Sequence, residues 1–435
     1  MPNGRDFSSI DRRMALAQEW DESVARIRKL LGFEDFFKSP TLDKLLTAAS
    51  GGPVVIVNVS QRRCDALIVQ ERAVTPCPLP QLTGEEVVDR ANGYLETLQS
   101  AETAADIHDE ARRQRRERPG MAGRQAVQRA ERALADAAVA TEAMLTDLLG
   151  WLWDVIAEPV LTELKLNHAP GQGDTWPRVW WCPTGPLNLL PLHAAGRHGD
   201  LGDSSFRTVM DRVISSYTPT LRALLEARKP IDGAMIDNDR LLVVGLAESP
   251  GQRPLRGVAA ELDVLAELVP EQRRTVLKGP AATRAAVQRE LQTHRWVHLS
   301  CHGKQELDDP SGGGLALHDG VLSISDIATQ RHYAEFAGLS ACKTATGGIN
   351  LLDEAITLAA ALHYTGYRHV IGTLWSVYDS VGTADLWATV YRNMVVDGRL
   401  CPERSAEALH QATLALRDRH PHRPSTWTPF VHIGP

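Results

Sequence analysis

The sequence predicts an α/β protein in which helices flank a mostly parallel sheet. One observation is that short apolar runs and helical patterns alternate along residues 240–435. Such alternation is typical of a parallel sheet joined by crossover helices. The other is that two apolar runs, 296–300 and 336–340, each lead into a polar turn, one containing His302-Gly303 and the other Ala341-Cys342. Polar turns that follow parallel strands meet at one edge of the sheet, where α/β proteins bind ligands.

The length of 435 residues predicts two or three domains or subdomains. We place the main boundary at a polar linker after Arg228, which contains Pro230, Gly233 and the acidic stretch 237–239. The predicted units are a helical segment over 1–50, an α/β subdomain over 51–229 with a helical insertion over 83–166, and a main α/β domain over 240–435.

Composition excludes several classes of function. The net charge of −7 indicates neither nucleic-acid nor anionic-membrane binding. No apolar stretch approaches the roughly 20 residues that span a bilayer, and residues 1–22 are too polar for a signal peptide. The 6 cysteines are scattered without metal-ligand spacing, which is typical of reduced thiols in the cytoplasm. We therefore expect a cytoplasmic protein with no membrane, nucleic acid, metal or cofactor.

The first half of the chain combines helices with a few strands. Helical spacing covers 9–31 and 41–49, and the helical pattern returns over 83–166. Strands are expected at 53–59 and 64–69, as a hairpin, and at 179–182. Five arginines lie in 111–118. They are typical of a solvated helix end, and a partner-binding patch stays open as the alternative.

The second half alternates regularly. Strands are expected at 241–245, 296–300, 336–340 and 369–374, with helices over 258–268, 283–291, 354–362, 380–394 and 402–419. A small hairpin is expected over 315–322, following a polar, glycine-rich loop. That loop, with Gly312 to Gly314, lacks the Lys-Ser/Thr ending of a phosphate-binding loop.

The two polar turns predict a cysteine hydrolase. A thiol with its ordinary pKa of ~8.5 is only a few per cent ionised at neutral pH, and a neighbouring imidazole raises the reactive fraction. We assign Cys342 as the nucleophile and His302 as the general base. The backbone N–H groups of Gly303 and Cys342 are the candidate oxyanion hole.

Two structural alternatives remain at this point. Cys342 as a buried core cysteine is one alternative, since free cysteines are among the most buried residues. A zinc site from His298, Cys301 and His302 is disfavoured, because His298 and Cys301 are expected to point to opposite faces of their strand.

The motifs together resemble the CHAT family of caspase-like peptidases. The resemblance is carried by 179–194 (VWWCPTGPLNLLPLHA), Leu255 to Val258 with Glu261, 298–303, 339–344, 353–366, 370–375 with Asp379, and 427–430 with Gly434. The stretches 32–34, 52–56 and 64–69 resemble the region that precedes this domain in members bearing tetratricopeptide repeats.

The resemblance implies a caspase/separase-type fold with a degenerate caspase-like half, 51–229, before the active one, 240–435. It also implies that His302 and Cys342 form the catalytic dyad. No repeat array is found in this sequence, and the caspase signature Gln-Ala-Cys-x-Gly is replaced by Ser340-Ala341-Cys342-Lys343-Thr344. Aspartate specificity is therefore not expected.

Asp379 is the candidate specificity residue. In the separases, which this domain resembles, an acidic residue after a comparable Leu-Trp strand end lines the pocket for a basic P1 side chain. Asp379 is equally well placed to cap the helix over 380–394. The leading expectation is a cysteine endopeptidase that cuts a protein substrate, after a basic residue, under the control of a regulatory protein partner. The alternative is a non-catalytic interaction scaffold that binds through 83–166.

Overall fold

The computed structural model describes residues 7–30, 36–171, 173–198, 207–230, 240–249, 254–255, 257–304, 312–329, 334–340, 358–375, 380–397 and 399–435. For residues 7–11, 304, 380 and 381 it describes the backbone alone. The predictions for Cys342 and Asp379 lie outside the described residues.

The prediction of a parallel-rich α/β sheet is confirmed. Eleven of the described strands form one sheet in the order β3-β2-β1-β4-β5-β16-β13-β12-β8-β6-β7. These strands are β1 (Val54–Asn58), β2 (Asp65–Gln70), β3 (Ala73–Pro78), β4 (Arg178–Pro183), β5 (Ile214–Tyr217), β6 (Leu241–Gly245), β7 (Arg274–Lys278), β8 (Trp296–Ser300), β12 (Ala334–Ser340), β13 (Tyr367–Thr373) and β16 (Phe430–Ile433). Two small sheets are made by β9 (His302–Lys304), β10 (Gly314–Leu317) and β11 (Gly320–Ser323), and by β14 (Val395–Val396) and β15 (Arg399–Leu400).

The large sheet consists of two parallel blocks that run in opposite directions. Strands β6, β7, β8, β12 and β13 are mutually parallel, and so are β1, β4, β5 and β16. The blocks meet where β16 pairs antiparallel with β13, and β2 and β3 add an antiparallel hairpin at one end. Both predicted α/β units therefore contribute to one continuous sheet.

Helices cover the sheet and extend from it. They are α1 (Phe7–Ile27), α2 (Leu42–Leu46), α3 (Gly84–Glu117), α4 (Met121–Leu152), α5 (Glu158–Glu163), α6 (Leu221–Ala227), α7 (Gly257–Leu268), α8 (Arg284–Leu291), α9 (Ile324–Ala328), α10 (Leu358–Thr365), α11 (Ser380–Met394) and α12 (Ser405–Arg419). Helices α3 and α4 form a long hairpin. The Thr83 side chain caps its start, and the break at Pro119-Gly120 makes its tip. Within the described ranges, no helix is long and apolar enough to cross a bilayer.

Alternation along the central strands divides the core into two layers. Leu241 and Val243 of β6 pack with α7, α11 and α12 on one face, whereas Leu242 and Val244 pack into the core on the other. Successive side chains of a strand point to opposite faces, so a strand buried on both sides is apolar throughout. On β8 this rule sends His298 to the α7 and α11 side and leaves Cys301 in the opposite layer. The expectation that these two side chains diverge is confirmed.

Seven of the described strands are absent from the sequence prediction: β3, β5, β7, β9, β14, β15 and β16. Strand β3 carries Pro76 and Pro78, and β7 is an edge strand with partly exposed side chains, so neither has a simple apolar pattern. Strand β9 is separated from β8 by Cys301 alone, and it lies in the stretch for which the sequence predicts a polar turn and loop. The predicted hairpin over 315–322 is confirmed as β10 and β11.

Buried histidines are an unusual part of the core. Seven of them have a pKa lowered mainly by burial: to about 3 for His193 and His369, to about 4 for His198, His363 and His410, well below the ordinary value for His432, and below the ordinary value for His294. His432 lies centrally, with its Nδ1 atom 2.9 Å from the Ser216 hydroxyl and its Nε2 atom 3.2 Å from Nδ1 of His369. These imidazoles are therefore neutral in the folded protein.

We predict acid unfolding driven by these histidines. In the unfolded chain they take up protons below a pKa of about 6.5, whereas the folded state does not until far lower pH. Stability is therefore fully present above pH ~6.5 and falls toward acid by up to about 1.4 kcal/mol per pH unit for each histidine. A typical domain has a free energy of unfolding of about 5–15 kcal/mol. At about pH 5 the summed losses from these histidines reach that range. Guanidinium unfolding at pH 7.5, 6.5 and 5.5, followed by circular dichroism, measures the slope.

Single substitutions separate the contributions. His363→Gln should lower the slope by up to about 1.4 kcal/mol per pH unit, because it removes one buried group of this kind. His168→Gln, at an exposed position, is the matched control and should leave the slope unchanged. A free energy of unfolding that is flat between pH 7.5 and 5.5 would contradict the prediction.

Candidate active site

The predicted base lies at the start of a short strand that leaves the large sheet. Strand β8 is buried along its whole length, and after Cys301 the chain continues as β9. His302 is buried and pairs with Ala316 of β10, and half-buried Gly303 pairs with Leu315. His302 and Gly303 thus lie on a short strand that is held in place by pairing with β10 of the β10–β11 hairpin.

The strand that precedes the predicted nucleophile is the immediate neighbour of β8. Strands β12 and β8 are parallel, and Ser340 pairs with Ser300 at their carboxyl ends. His302 follows Ser300 by two residues, and Cys342 follows Ser340 by two residues. The described part of β12 ends at Ser340. Cys342 and Asp379 both lie outside the described residues.

Gly314 allows the hairpin to close on β9. It pairs with Lys304 on one side and Ser323 on the other. A Cβ at this position would lie 2.1 Å from the carbonyl oxygen of Leu322. Any larger residue must therefore push β11 away from β10, and β10 is the strand that pairs with His302.

A buried carboxylate lies between the two strand ends. Glu261 of α7 is 3% exposed, and its carboxylate accepts hydrogen bonds from hydroxyls on both strands. Ser300 Oγ donates to Oε2 at 2.7 Å, and Ser340 Oγ donates to Oε1 at 2.8 Å. Nε2 of His298 lies 3.2 Å from Oε2. A buried charge needs such donors, because each lost one leaves a desolvated polar atom.

His298 and Tyr391 complete this cluster. Burial, with the negative charge of Glu261 adding to it, raises the pKa of the Tyr391 hydroxyl well above its ordinary value, so the hydroxyl stays protonated. It lies 3.1 Å from Nδ1 of His298. All atoms are satisfied when Tyr391 donates to Nδ1 and the Nε2–H group of His298 donates to Glu261. We call Glu261, Ser300, Ser340, His298 and Tyr391 the Glu261 cluster.

Close packing surrounds the cluster. The ring of Trp387 contacts His298 edge to face, with centroids 4.9 Å apart and planes at 87°. A Cβ on residue 338 would lie 3.0 Å from ring atoms of Trp387 and 3.2 Å from Nδ1 of His298. The glycine at 338 in β12 therefore lets both rings lie against the strand.

Sequence reasoning named Glu261 only as a point of family resemblance and missed its contacts. Two signals were present in the sequence. Glu261 lies between Val258 and Leu265 on the apolar face of α7, where a charge marks a buried partner. A serine also precedes His302 and Cys342 at the same offset of two residues.

The helical hairpin reaches the end of β13. Tyr94 of α3 packs edge to face against Trp375, with ring centroids 5.8 Å apart. Trp375 is buried and follows β13 directly. Trp427 is buried as well, so both rings fill the core.

This fold, with helices on both faces of a parallel-rich sheet and the two strand ends side by side, is caspase-like. The model of the CHAT domain family matches residues 146–435, which is most of the chain. The chain belongs to the CHAT domain family. The match begins within α4, so it includes β4 and β5 as well as all of the second half.

A solved structure with the same fold is that of the Saccharomyces cerevisiae separase–securin complex. The superposition has a TM-score of 0.58 at 11% sequence identity and covers 90% of this chain and 30% of that chain. At this identity the likeness concerns the fold, and the chain spans under a third of the length of the protein it matches. No curated protein sequence matches this chain.

We predict that Gly314→Ala detaches the β10–β11 hairpin from β9. The added Cβ overlaps the Leu322 carbonyl, and overpacking of this kind typically destabilises by about 1–3 kcal/mol. Gly93→Ala is the matched control, because a Cβ there has nothing within 4 Å and lies in helix α3. It should stabilise by about 0.5–1 kcal/mol. Equal unfolding free energies for the two variants in a guanidinium titration would refute the role given to Gly314.

Proposed function

We propose that this chain is a cysteine endopeptidase in which Cys342 is the nucleophile and His302 the general base. The observation that carries the proposal is the pairing of Ser300 with Ser340 on adjacent parallel strands. His302 and Cys342 follow these paired residues at equal distance along the chain. Membership of a family with a caspase-like fold supports the same reading.

The proposed chemistry needs no cofactor. His302 takes the thiol proton of Cys342, and the sulfur attacks the scissile carbonyl carbon. The imidazolium then gives that proton to the leaving amine as the C–N bond breaks, which leaves an acyl-enzyme. Water, deprotonated by His302, hydrolyses the thioester and restores the thiol. Backbone N–H groups of Gly303 and Cys342 stabilise the oxyanion, each worth roughly 2.7–4 kcal/mol.

We predict covalent labelling that depends on both members of the dyad. An arginyl acyloxymethyl ketone peptide should modify the wild type at Cys342, as read by intact-protein and peptide mass spectrometry. Cys342→Ala should abolish the labelling because the nucleophile is gone. His302→Ala should slow it by about 100-fold or more, the usual contribution of a general base.

Cys401→Ala is the control for this experiment. Cys401 is a free and partly exposed cysteine, so its removal tests for adventitious alkylation. Labelling of the Cys342→Ala variant at the wild-type rate would refute the dyad. A wild type that labels only with a candidate partner present would support regulation by that partner.

We propose further that Asp379 recognises a basic P1 side chain in the protein substrate. Asp379 comes shortly after β13, the parallel neighbour of β12, in the sequence. In a positional peptide library, wild type should prefer Arg or Lys at P1, and Asp379→Ala should reduce that preference by about 10-fold or more, as expected for one lost ion pair. Unchanged preference in the variant would remove Asp379 from the P1 pocket and leave it as a helix cap.

A scaffold is the second candidate function, favoured by the tip of the α3–α4 hairpin. Residues 112–132 contain eight arginines and two glutamates, and the arginines are all exposed. This basic surface suits an acidic protein partner, either as a regulator of the peptidase or as the ligand of an inactive scaffold. The Tyr94–Trp375 contact connects the same hairpin with the end of β13. Failure of every P1 probe to label, with and without partners, would favour the scaffold.

A further inference from the structure

We infer that Glu261 is a positioning residue for the proposed reaction. Its carboxylate sets the relative position of the two strand ends that lead to His302 and Cys342. The inference rests on the proposed function, and it concerns a group that does not itself touch the reacting atoms.

The geometry of the two hydrogen bonds supports this role. Each carboxylate oxygen accepts one serine hydroxyl, so Glu261 bridges β8 and β12 at their last paired residues. A slip of either strand by one residue would turn its serine to the opposite face and break the bridge. The bridge therefore fixes the register at the point from which both predicted catalytic turns start.

The orientation of the carboxylate is itself held. His298 Nε2 lies 3.2 Å from Oε2, and Tyr391 of α11 holds the other nitrogen of that ring. Glu261, on α7, is thus held directly by β8 and β12 and indirectly by Tyr391 of α11, which acts through His298. Supporting hydrogen bonds of this kind keep reacting groups in position. A displacement of a reacting group by about 1 Å lowers the rate by about 100-fold.

Stabilisation alone is a weaker explanation. A buried charge is expensive, and well-packed apolar side chains often hold strands together equally well. The same two strands also have a second clasp at their amino ends, where Glu335 of β12 accepts from Arg295 at 2.5 Å and from Trp296 Nε1 at 2.8 Å. Ser340 lies four residues beyond Phe336, the partner of Trp296, so the two clasps are about 13–16 Å apart.

This second clasp is a matched control. Glu261→Ala and Glu335→Ala each remove a carboxylate that ties β8 to β12, but at opposite ends of the strands. We predict that both variants melt at lower temperature than the wild type. Glu261→Ala should also lower kcat by about 100-fold, with KM changed less than threefold. Glu335→Ala should keep the wild-type kcat.

Glu261→Gln tests positioning against charge. The amide of glutamine can accept from one serine and donate to the other, so it keeps the bridge without the charge. We expect this variant to recover at least 10-fold of the kcat lost in Glu261→Ala. The assay is steady-state cleavage of a fluorogenic peptide selected from a P1 library with the wild type.

Three outcomes separate the inference from the proposed function. If the wild type cleaves and Glu261→Ala keeps its kcat, or if Glu335→Ala loses as much, the inference is overturned. If the wild type cleaves neither alone nor with a candidate partner, the proposed function fails, and hydrogen exchange by mass spectrometry then decides whether Glu261 holds the two strand ends. Faster exchange in Glu261→Ala at the carboxyl ends of β8 and β12, and in Glu335→Ala at their amino ends, supports it. Uniform or unchanged exchange in Glu261→Ala overturns it.

Discussion

A single buried negative charge sets the requirements for the centre of this molecule. Removing a carboxylate from water is costly by several kcal/mol unless donors surround it. Glu261 has donors on β8 and β12, and this explains why both apolar strands end in serine. The third donor, His298, in turn requires the protonated hydroxyl of Tyr391 on the far side of its ring.

The same charge constrains the packing around it. Two aromatic side chains of α11, Trp387 and Tyr391, lie against His298. Residue 338 of β12 must be glycine, because a Cβ there would press against the rings of Trp387 and His298. One ionised group therefore accounts for residue types on two helices and two strands.

Much of the architecture was predictable from local pattern. Strands such as β6 and β8 are apolar along their length, and helices alternate with them, so the parallel sheet and its carboxyl edge followed from the sequence. The pairing of the histidine and cysteine segments also followed, because both were recognised as strands leading into polar turns.

The remaining features depend on contacts between distant residues. Nothing in the local pattern of α7 distinguishes Glu261 from a solvated glutamate except its place on the apolar face. Ser300 and Ser340 lie 39 and 79 positions from Glu261 along the chain, and only the folded sheet brings them together. Edge strand β7 and the proline-bearing β3 lack the regular apolar pattern that identifies an interior strand. The short β9 is defined by its pairing with β10, not by its own composition.

The position of β16 has a consequence for biosynthesis. Among the described strands β16 comes after all the others in sequence, yet it lies inside the large sheet, between β5 and β13. During translation the edges of β5 and β13 therefore stay unpaired until residues 430–433 leave the ribosome. Such edges invite pairing with other chains. The large sheet is therefore completed only after every other described strand has been made.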